Sequence, residues 1–397
     1  MKTVLRFIAM SDLHFKVDVA TEPERFKSGM QMAYDYAKTQ DYKKIDALYV
    51  VGDFANCGSE GEMRLFKKYA DENVYPETDI TLMLASHEFF SPDKEEGAIR
   101  RLQEIFSQAP DVHKVIGGYH FISVSTERGC RLFDEKKAWI REQLKIAAAD
   151  DPKKPIFFFQ HPHLTDTVYG SIAWGEDDII SILMDYPQII DFSGHSHAPV
   201  NDPRSIHQKY FTSFGCGSLS YFELDEFDYL YGTVPPDKDL CAQFLIVEVH
   251  DDCSVTVKPF DILSGRFFND GYLIEKPWEP ETFIYTDERY KTAVKPAFGR
   301  NAAFEAIYSD NKLKVTFDQA ESNPERPDCY TLVIRAENDG HVVKQVTVPS
   351  SYYVYDMPEK VSIEFDFEFR GRFEAKVFAK GFWKNVSEPI VAEFEVL

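Results

Sequence analysis

No apolar run in this chain approaches the length needed to cross a bilayer, so a soluble globular protein is expected. Cysteine is sparse. The six residues, at positions 57, 130, 216, 241, 253 and 329, include no Cys-x-x-Cys pair, which disfavours a zinc ribbon and points to reduced thiols. Positive charge is also short: 44 Lys and Arg face 66 Asp and Glu, a net charge of −22. Nucleic-acid polymers and anionic membranes, both polyanions, are therefore disfavoured as partners. An anionic substrate would be repelled too, unless bound cations offset the surplus. The opening stretch MKTVLRFIAMSDLHF has a basic flank and a short apolar run, but it ends in Asp12 and His14 without a small-residue cleavage site. It reads as the first strand of the mature fold, and a cytoplasmic location is expected. Internal repeats and low-complexity tracts are absent from the sequence.

What is present is order along the chain. The 397 residues are enough for two or three domains with ample core. Up to about residue 200, strand-like runs such as VLRFIAM, IDALYVVG, ITLMLA, YHFISVS, PIFFFQ and QIIDFS alternate with helical patterns, the signature of a layered α/β fold. Ser59 with Glu62 forms a capping box at the start of one helix, and 176–184 is compatible with another. Strand-like runs at 209–216, 242–250 and 254–262 either extend the sheet or form a second one. Composition shifts over about 271–298, with three prolines at 277, 280 and 296 and weak periodicity, and 271–292 is read as a linker. Beyond it, from 293 to 397, short strands follow one another without a convincing helix. In VSIEFDFEF the apolar residues Val361, Ile363, Phe365, Phe367 and Phe369 alternate strictly, the period of a half-buried strand, so this region is expected to be an all-β sandwich.

Polar residues of one chemical kind follow the ends of the strands. Asp12 and His14 follow the first, Asp53 the second, and Ser86, His87 and Glu88 the third. His161 follows PIFFFQ, with His163 two residues on, and His195 and His197 follow QIIDFS. In open α/β sheets that edge is where ligands bind. Carboxylate and imidazole together suit borderline divalent cations such as Zn²⁺, Mn²⁺ and Fe²⁺. Two such ions can clamp both the attacking and the leaving oxygen of a phosphoryl transfer, so the two imidazoles of GHSH (194–197) can each serve a different ion. His161 is preferred to His163 because it directly follows the apolar strand.

The ordered set Asp-x-His, Gly-Asp, His-Glu, His and Gly-His-x-His resembles the calcineurin-like metallophosphoesterase superfamily over about residues 1–265. That resemblance implies a four-layer α/β/β/α sandwich for a catalytic domain spanning 1–270. It implies one metal ion held by Asp12, His14, Asp53 and His197, and a second held by Asp53 as bridge with His161 and His195. It implies hydrolysis of phosphomonoesters or phosphodiesters by a hydroxide activated between the ions, with His87 protonating the leaving group and Glu88 orienting the His87 ring. One position departs from the pattern. The family usually has Asn before the His-[Asp/Glu] pair, and here Ser86 stands there. Its hydroxyl is read as a turn residue or weak metal ligand, which loosens the second site.

That departure keeps an alternative open, a binding protein that retains the fold with weakened catalysis. A hydrolase of nucleotide pyrophosphate bonds is a third reading. Tyr169 and Trp174 either line a substrate pocket or pack their loop. Gly215 to Ser218 (GCGS) reads as a tight turn, and the acidic run 223–228 as a solvated loop. The C-terminal region resembles a fibronectin type III-like or immunoglobulin-like module. It is expected to pack on the enzyme domain or to bind a protein or glycan partner.

Overall fold

The run at the chain's start is apolar on both sides because both sides are covered. In a computed structural model, which describes residues 1–127, 129–225, 232–235 and 237–397, Thr3–Met10 is a central strand. Leu5, Phe7 and Ala9 point to one face and Ile8 and Met10 to the other, and all five are buried. Arg6 interrupts this pattern but lies buried against Glu248 at 2.8 Å.

The described residues divide into two compact units, Met1–Thr286 and Asp287–Leu397. In the first, a seven-stranded sheet runs Arg266–Phe267, Val255–Asp261, Gln243–His250, Thr3–Met10, Ala47–Val50, Asp79–Leu82, with Tyr272–Ile274 also on Val255–Asp261. The last three strands of that order are parallel. A six-stranded sheet runs Ile206–Gln208, Thr212–Gly215, Ile189–Ser193, Ile156–Phe159, Tyr119–Val124, Asp111–Ile116, with its four inner strands parallel. The late strands therefore serve both sheets: Thr212–Gly215 joins the second, and Gln243–His250 and Val255–Asp261 join the first.

Three apolar clusters show how these layers meet. Phe7, Tyr49, Val247 and Val257 of the first sheet pack with Phe121, Phe157, Phe192 and Phe214 of the second. Ile8, Leu48 and Leu82, on the opposite face of the first sheet, pack with Phe26 and Met30 of helix Thr21–Thr39, Phe66 of helix Glu60–Asn73 and Leu102 of helix Lys94–Phe106. Ile122, Phe158 and Ile189 of the second sheet pack with Ile140 and Leu144 of helix Asp134–Asp150. The capping box forms as read: Ser59 Oγ accepts from Glu62 N, and the Glu62 carboxylate accepts from Ser59 N at 3.0 Å.

Two readings of the sequence differ from this structure, and one strand was not read at all. The stretch 176–184 makes one short helix, Ile180–Leu183, after a two-residue strand at Gly175–Glu176; it contributes one turn, not a crossover helix. Asp111–Ile116 is an edge strand whose half-exposed residues carry no strong apolar signal. The segment 271–292 begins with a strand, Tyr272–Ile274, because its backbone completes the ladder of Val255–Asp261.

The second unit holds strands Phe304–Ser309, Lys312–Asp318 and Lys360–Asp366 in one antiparallel sheet. Val342–Pro349, Cys329–Ala336, Gly371–Lys380 and Ile390–Val396 form another. Leu313, Phe317 and Ile363 from the first share one apolar cluster with Leu332, Phe373 and Val377 from the second.

Candidate metal centre

The residues just beyond five parallel strands converge. Backbone hydrogen bonds zip their loops together: Asp12 N donates to the Gly52 carbonyl at 3.3 Å, His14 N to Asp53 O at 3.0 Å, and Gly194 N to His161 O at 2.8 Å. His195 N donates to Asp12 Oδ2 at 3.0 Å, tying the second sheet's last loop to the first sheet's first. Asp12, His14, Asp53, His195 and His197 hold φ values of 55°, 48°, 51°, 71° and 54°. Non-glycine residues seldom occupy that left-handed region, and each instance costs on the order of 1–3 kcal/mol. Five together mark a backbone bent to aim side chains.

Glycine makes room for them. Gly52 has φ +86°, and a Cβ there would sit 2.5 Å from His161 Nδ1. At Gly194 a Cβ would lie 1.9 Å from Ser11 Oγ and 2.6 Å from Asp12 Oδ2.

Among the described residues the ligand atoms fall into three sets, each with its members within 4.8 Å of one another: Asp12, His14 and His197; His14, Asp53 and His87; Asp53, His161 and His195. His14 and Asp53 each belong to two sets. His197 Nε2 is 3.1 Å from Asp12 Oδ1 and 3.1 Å from His14 Nε2, and His161 Nε2 is 3.0 Å from Asp53 Oδ2. Asp12 Oδ1 and His161 Nε2 are buried without hydrogen-bond geometry to any partner, although buried polar atoms are nearly always satisfied. Carboxylate oxygens and imidazole nitrogens crowded together and unsatisfied fit divalent cations. The outer ring nitrogens are held by backbone carbonyls, His161 Nδ1 by Val51 O at 2.7 Å and His197 Nδ1 by Tyr221 O at 2.9 Å. Such contacts fix a metal-binding ring's orientation and leave Nε2 facing inward.

The electrostatics match this crowding. Burial alone would raise the Asp12 carboxyl, yet the His197 and His161 imidazoles hold it well below the usual carboxylate range. Burial likewise opposes ionisation of Asp53, and the nearby His161 charge outweighs it, so its carboxyl is lowered. For His161, burial pulls downward while Asp53 and Asp12 lift the imidazole to about 10. His195, half-buried but largely desolvated and beside the His161 charge, falls to about 4. The His161 and His197 imidazoles, both raised, thus supply the positive charge that cations would replace.

The remaining predicted residues divide. Ser86 Oγ lies 3.1 Å from Asp53 Oδ2, at the edge of the second set. His87 is half-buried, its N donating to Asp53 Oδ1 at 2.9 Å. Glu88 does not do what the family resemblance implied. The His87 ring is oriented by the Asn56 carbonyl, 2.7 Å from Nδ1. The Glu88 carboxylate turns inward and accepts from Asp53 N, Ala55 N and Ala85 N at 3.1, 2.9 and 2.9 Å. Burial and the Asp53 charge push Glu88 up to about 8 against those three donors, which favour the anion. Its geometry is that of a clamp on the loops carrying Asp53 and Ser86. His163 is held between Ser193 Oγ at 2.8 Å and Ser196 Oγ at 2.6 Å, outside the three sets, and burial pushes it to about 3.

Aromatic residues border the site. The Tyr221 ring lies 4.3 Å from that of His197, Phe90 4.4 Å from His87, and Trp174 5.3 Å from His195, edge-on. Tyr169 packs instead under the Arg204 guanidinium at 4.0 Å. Gly215 ends the strand Thr212–Gly215, the residues 216–218 beyond it make no turn, and Ser218 Oγ donates to the Asp12 carbonyl at 3.0 Å. Of the acidic run 223–228, residues 226–228 lie outside the described residues. Three contributors had no motif to announce them: Tyr221 and Asn56, which act through backbone carbonyls, and Cys130, whose sulfur lies 3.5 Å from His195 Nε2. No helix among the described residues is long and apolar enough to cross a membrane.

Residues 5–199 match the family model for calcineurin-like phosphoesterases. This segment is a calcineurin-like phosphoesterase domain. All nine residues read as ligands or catalytic groups fall inside it, and the mixed α/β fold is of the metallophosphoesterase kind, with Gln243–His250 and Val255–Asp261 completing its first sheet beyond the match. Among solved structures, a purple acid phosphatase isolated from yellow lupin (Lupinus luteus) seeds is 14% identical. It covers 69% of this chain with a TM-score of 0.49, and the chain spans 54% of that protein's length. The rat CD45 extracellular region, domains d3–d4, is 15% identical over 26% of this chain and 51% of its own, with a TM-score of 0.20. No curated protein matches the sequence.

Proposed function

We propose that the protein is a metal-dependent phosphoesterase acting on phosphomonoesters or phosphodiesters. The observation that carries this reading is the crowding of buried carboxylate and imidazole atoms, Asp12 Oδ1 and His161 Nε2 among them without hydrogen-bond geometry, in ligand sets that meet at His14 and Asp53. Asp12, His14, Asp53 and His197 would hold one cation, and Asp53, His161 and His195 the other. When bound, Mn²⁺, Zn²⁺ or Fe²⁺ ions there supply Lewis acidity, neutralising phosphate charge in a chain whose net charge is −22 and making water a better nucleophile.

The protein's own side chains supply the rest. Hydrolysis forms a bond from water oxygen to phosphorus and breaks the ester P–O bond. His87 has Nδ1 committed to the Asn56 carbonyl, so Nε2 is the atom that gives a proton to the departing oxygen. Glu88 holds the Asp53 and Ala85 backbones in register. Phe90, Tyr221 and Trp174 offer aromatic surface to the organic part of a substrate. Six free cysteines support a reducing, cytoplasmic setting.

The test is hydrolysis of bis- and mono-nitrophenyl phosphate by protein reconstituted with Mn²⁺, Zn²⁺ or Fe²⁺. Two ions bound per chain with neither ester cleaved would sink the reading and leave the weakened binding protein that Ser86 suggested.

For the second unit we propose an immunoglobulin-like or fibronectin type III-like module that binds a protein or glycan partner. Its first, second and fifth strands form one sheet and its fourth, third, sixth and seventh the other. This is the immunoglobulin constant arrangement with the fourth strand moved across.

A further inference from the structure

The position where the family usually offers an Asn amide holds Ser86, and a third element reaches the same place. Beyond the strand Tyr119–Val124, the chain folds back between Glu127 and Arg131, whose N–H groups and carbonyls bond each other at 2.7 and 3.0 Å. Thr126 N donates to the Leu84 carbonyl at 3.0 Å, pinning this loop to the segment that carries Ser86. The loop presents Cys130. Its sulfur lies 3.5 Å from His195 Nε2 and 4.0 Å from Nδ1. On the same side, His161 Nε2 is buried 3.0 Å from Asp53 Oδ2 without hydrogen-bond geometry and belongs with Asp53 and His195 to one ligand set.

We propose that Cys130 Sγ is a ligand of the cation held by Asp53, His161 and His195, filling the coordination position that Ser86 leaves. This rests on the two-cation reading above. The spacing suits it: with metal–sulfur and metal–nitrogen bonds of about 2.3 and 2.0–2.1 Å, two ligands of one tetrahedral ion lie about 3.5 Å apart. On ligation the S–H bond breaks, a metal–sulfur bond forms and the proton passes to buffer. A thiolate turns the site's preference toward Zn²⁺, Fe²⁺ and Co²⁺ and away from Mn²⁺ and Mg²⁺.

The test loads the full-length protein with Co²⁺ and reads metal per chain together with the absorption spectrum. Wild-type protein is expected to show an intense near-ultraviolet sulfur-to-cobalt band. Cys130→Ser loses that band and keeps the visible d–d bands of the remaining ion, while Cys57→Ser, at an exposed thiol, keeps it. Two Co²⁺ per chain with visible bands and no sulfur band would overturn the role of Cys130 and leave the two-cation reading standing. No bound Co²⁺ would overturn both. Should Cys130→Ser fail to fold by circular dichroism, iodoacetamide labelling of wild-type protein decides. Co²⁺ is expected to shield Cys130 while Cys57 labels as before, and equal labelling of Cys130 with and without the ion overturns the proposal.

Discussion

In the N-terminal unit, the strands Ala47–Val50 and Ile156–Phe159 are buried at every residue. In the C-terminal unit, Lys312–Asp318 and Ile390–Val396 alternate between covered and exposed positions. The difference decides where chemistry can be placed. A strand covered on both faces has room for few polar side chains along its length, so they gather beyond its end, where parallel neighbours bring them together. A strand with one wet face spreads polar residues evenly, as Lys314 and Glu364 do on the exposed sides of paired strands, and nothing converges. All three candidate ligand sets among the described residues lie in the first unit.

The largest expected effect comes from the carboxylate that belongs to two sets. Asp53→Asn should lower phosphoester hydrolysis by roughly 10⁴-fold, or about 5.4 kcal/mol, and reduce bound metal by elemental analysis. The second unit's unfolding should not move. Next is the core. Phe7 touches Tyr49 of its own sheet and Phe121, Phe157, Phe159 and Phe192 of the other. Phe7→Ala should cost about 4 kcal/mol in the first unit's denaturant transition alone, and Phe367→Ala, beside Phe373 and Phe394, should act only on the second. One merged shift for either variant would break the distinction between the units. His87→Ala should slow turnover by about 10²-fold, or about 2.7 kcal/mol, with two ions still bound; lost metal would make His87 a ligand, as its set with His14 and Asp53 allows. The smallest effect belongs to Ser86→Asn. With Cys130 completing the site, restoring the amide should change the rate by less than about tenfold, whereas a large gain from near nothing would mark the rim as degenerate.

Asp12, His14, Asp53, His161, His195 and His197 were legible because double-sided burial leaves such residues conspicuous after apolar runs. The capping box was legible because its two partners are three residues apart. Other parts had no local signature. Glu88 was read as an orienter of His87, but its carboxylate answers three backbone N–H groups from separate loops, a demand set by loop packing. Asn56 and Tyr221 contribute carbonyls, which every residue has. Cys130 follows its strand by six residues, too far for a rule about strand ends. The short helix Ile180–Leu183 follows Asp177 and Asp178, so the polar spacing read as a longer helix was a loop.

The hollow at Gly52 has one more consequence. The His161 ring comes from the second sheet and nests against a bend of the first, with no room for so much as a methyl group between them. The two sheets are thereby latched as a bolt is latched by its keeper: they cannot slide or part without drawing the ring out. Holding an ion and keeping the halves shut become a single mechanical event.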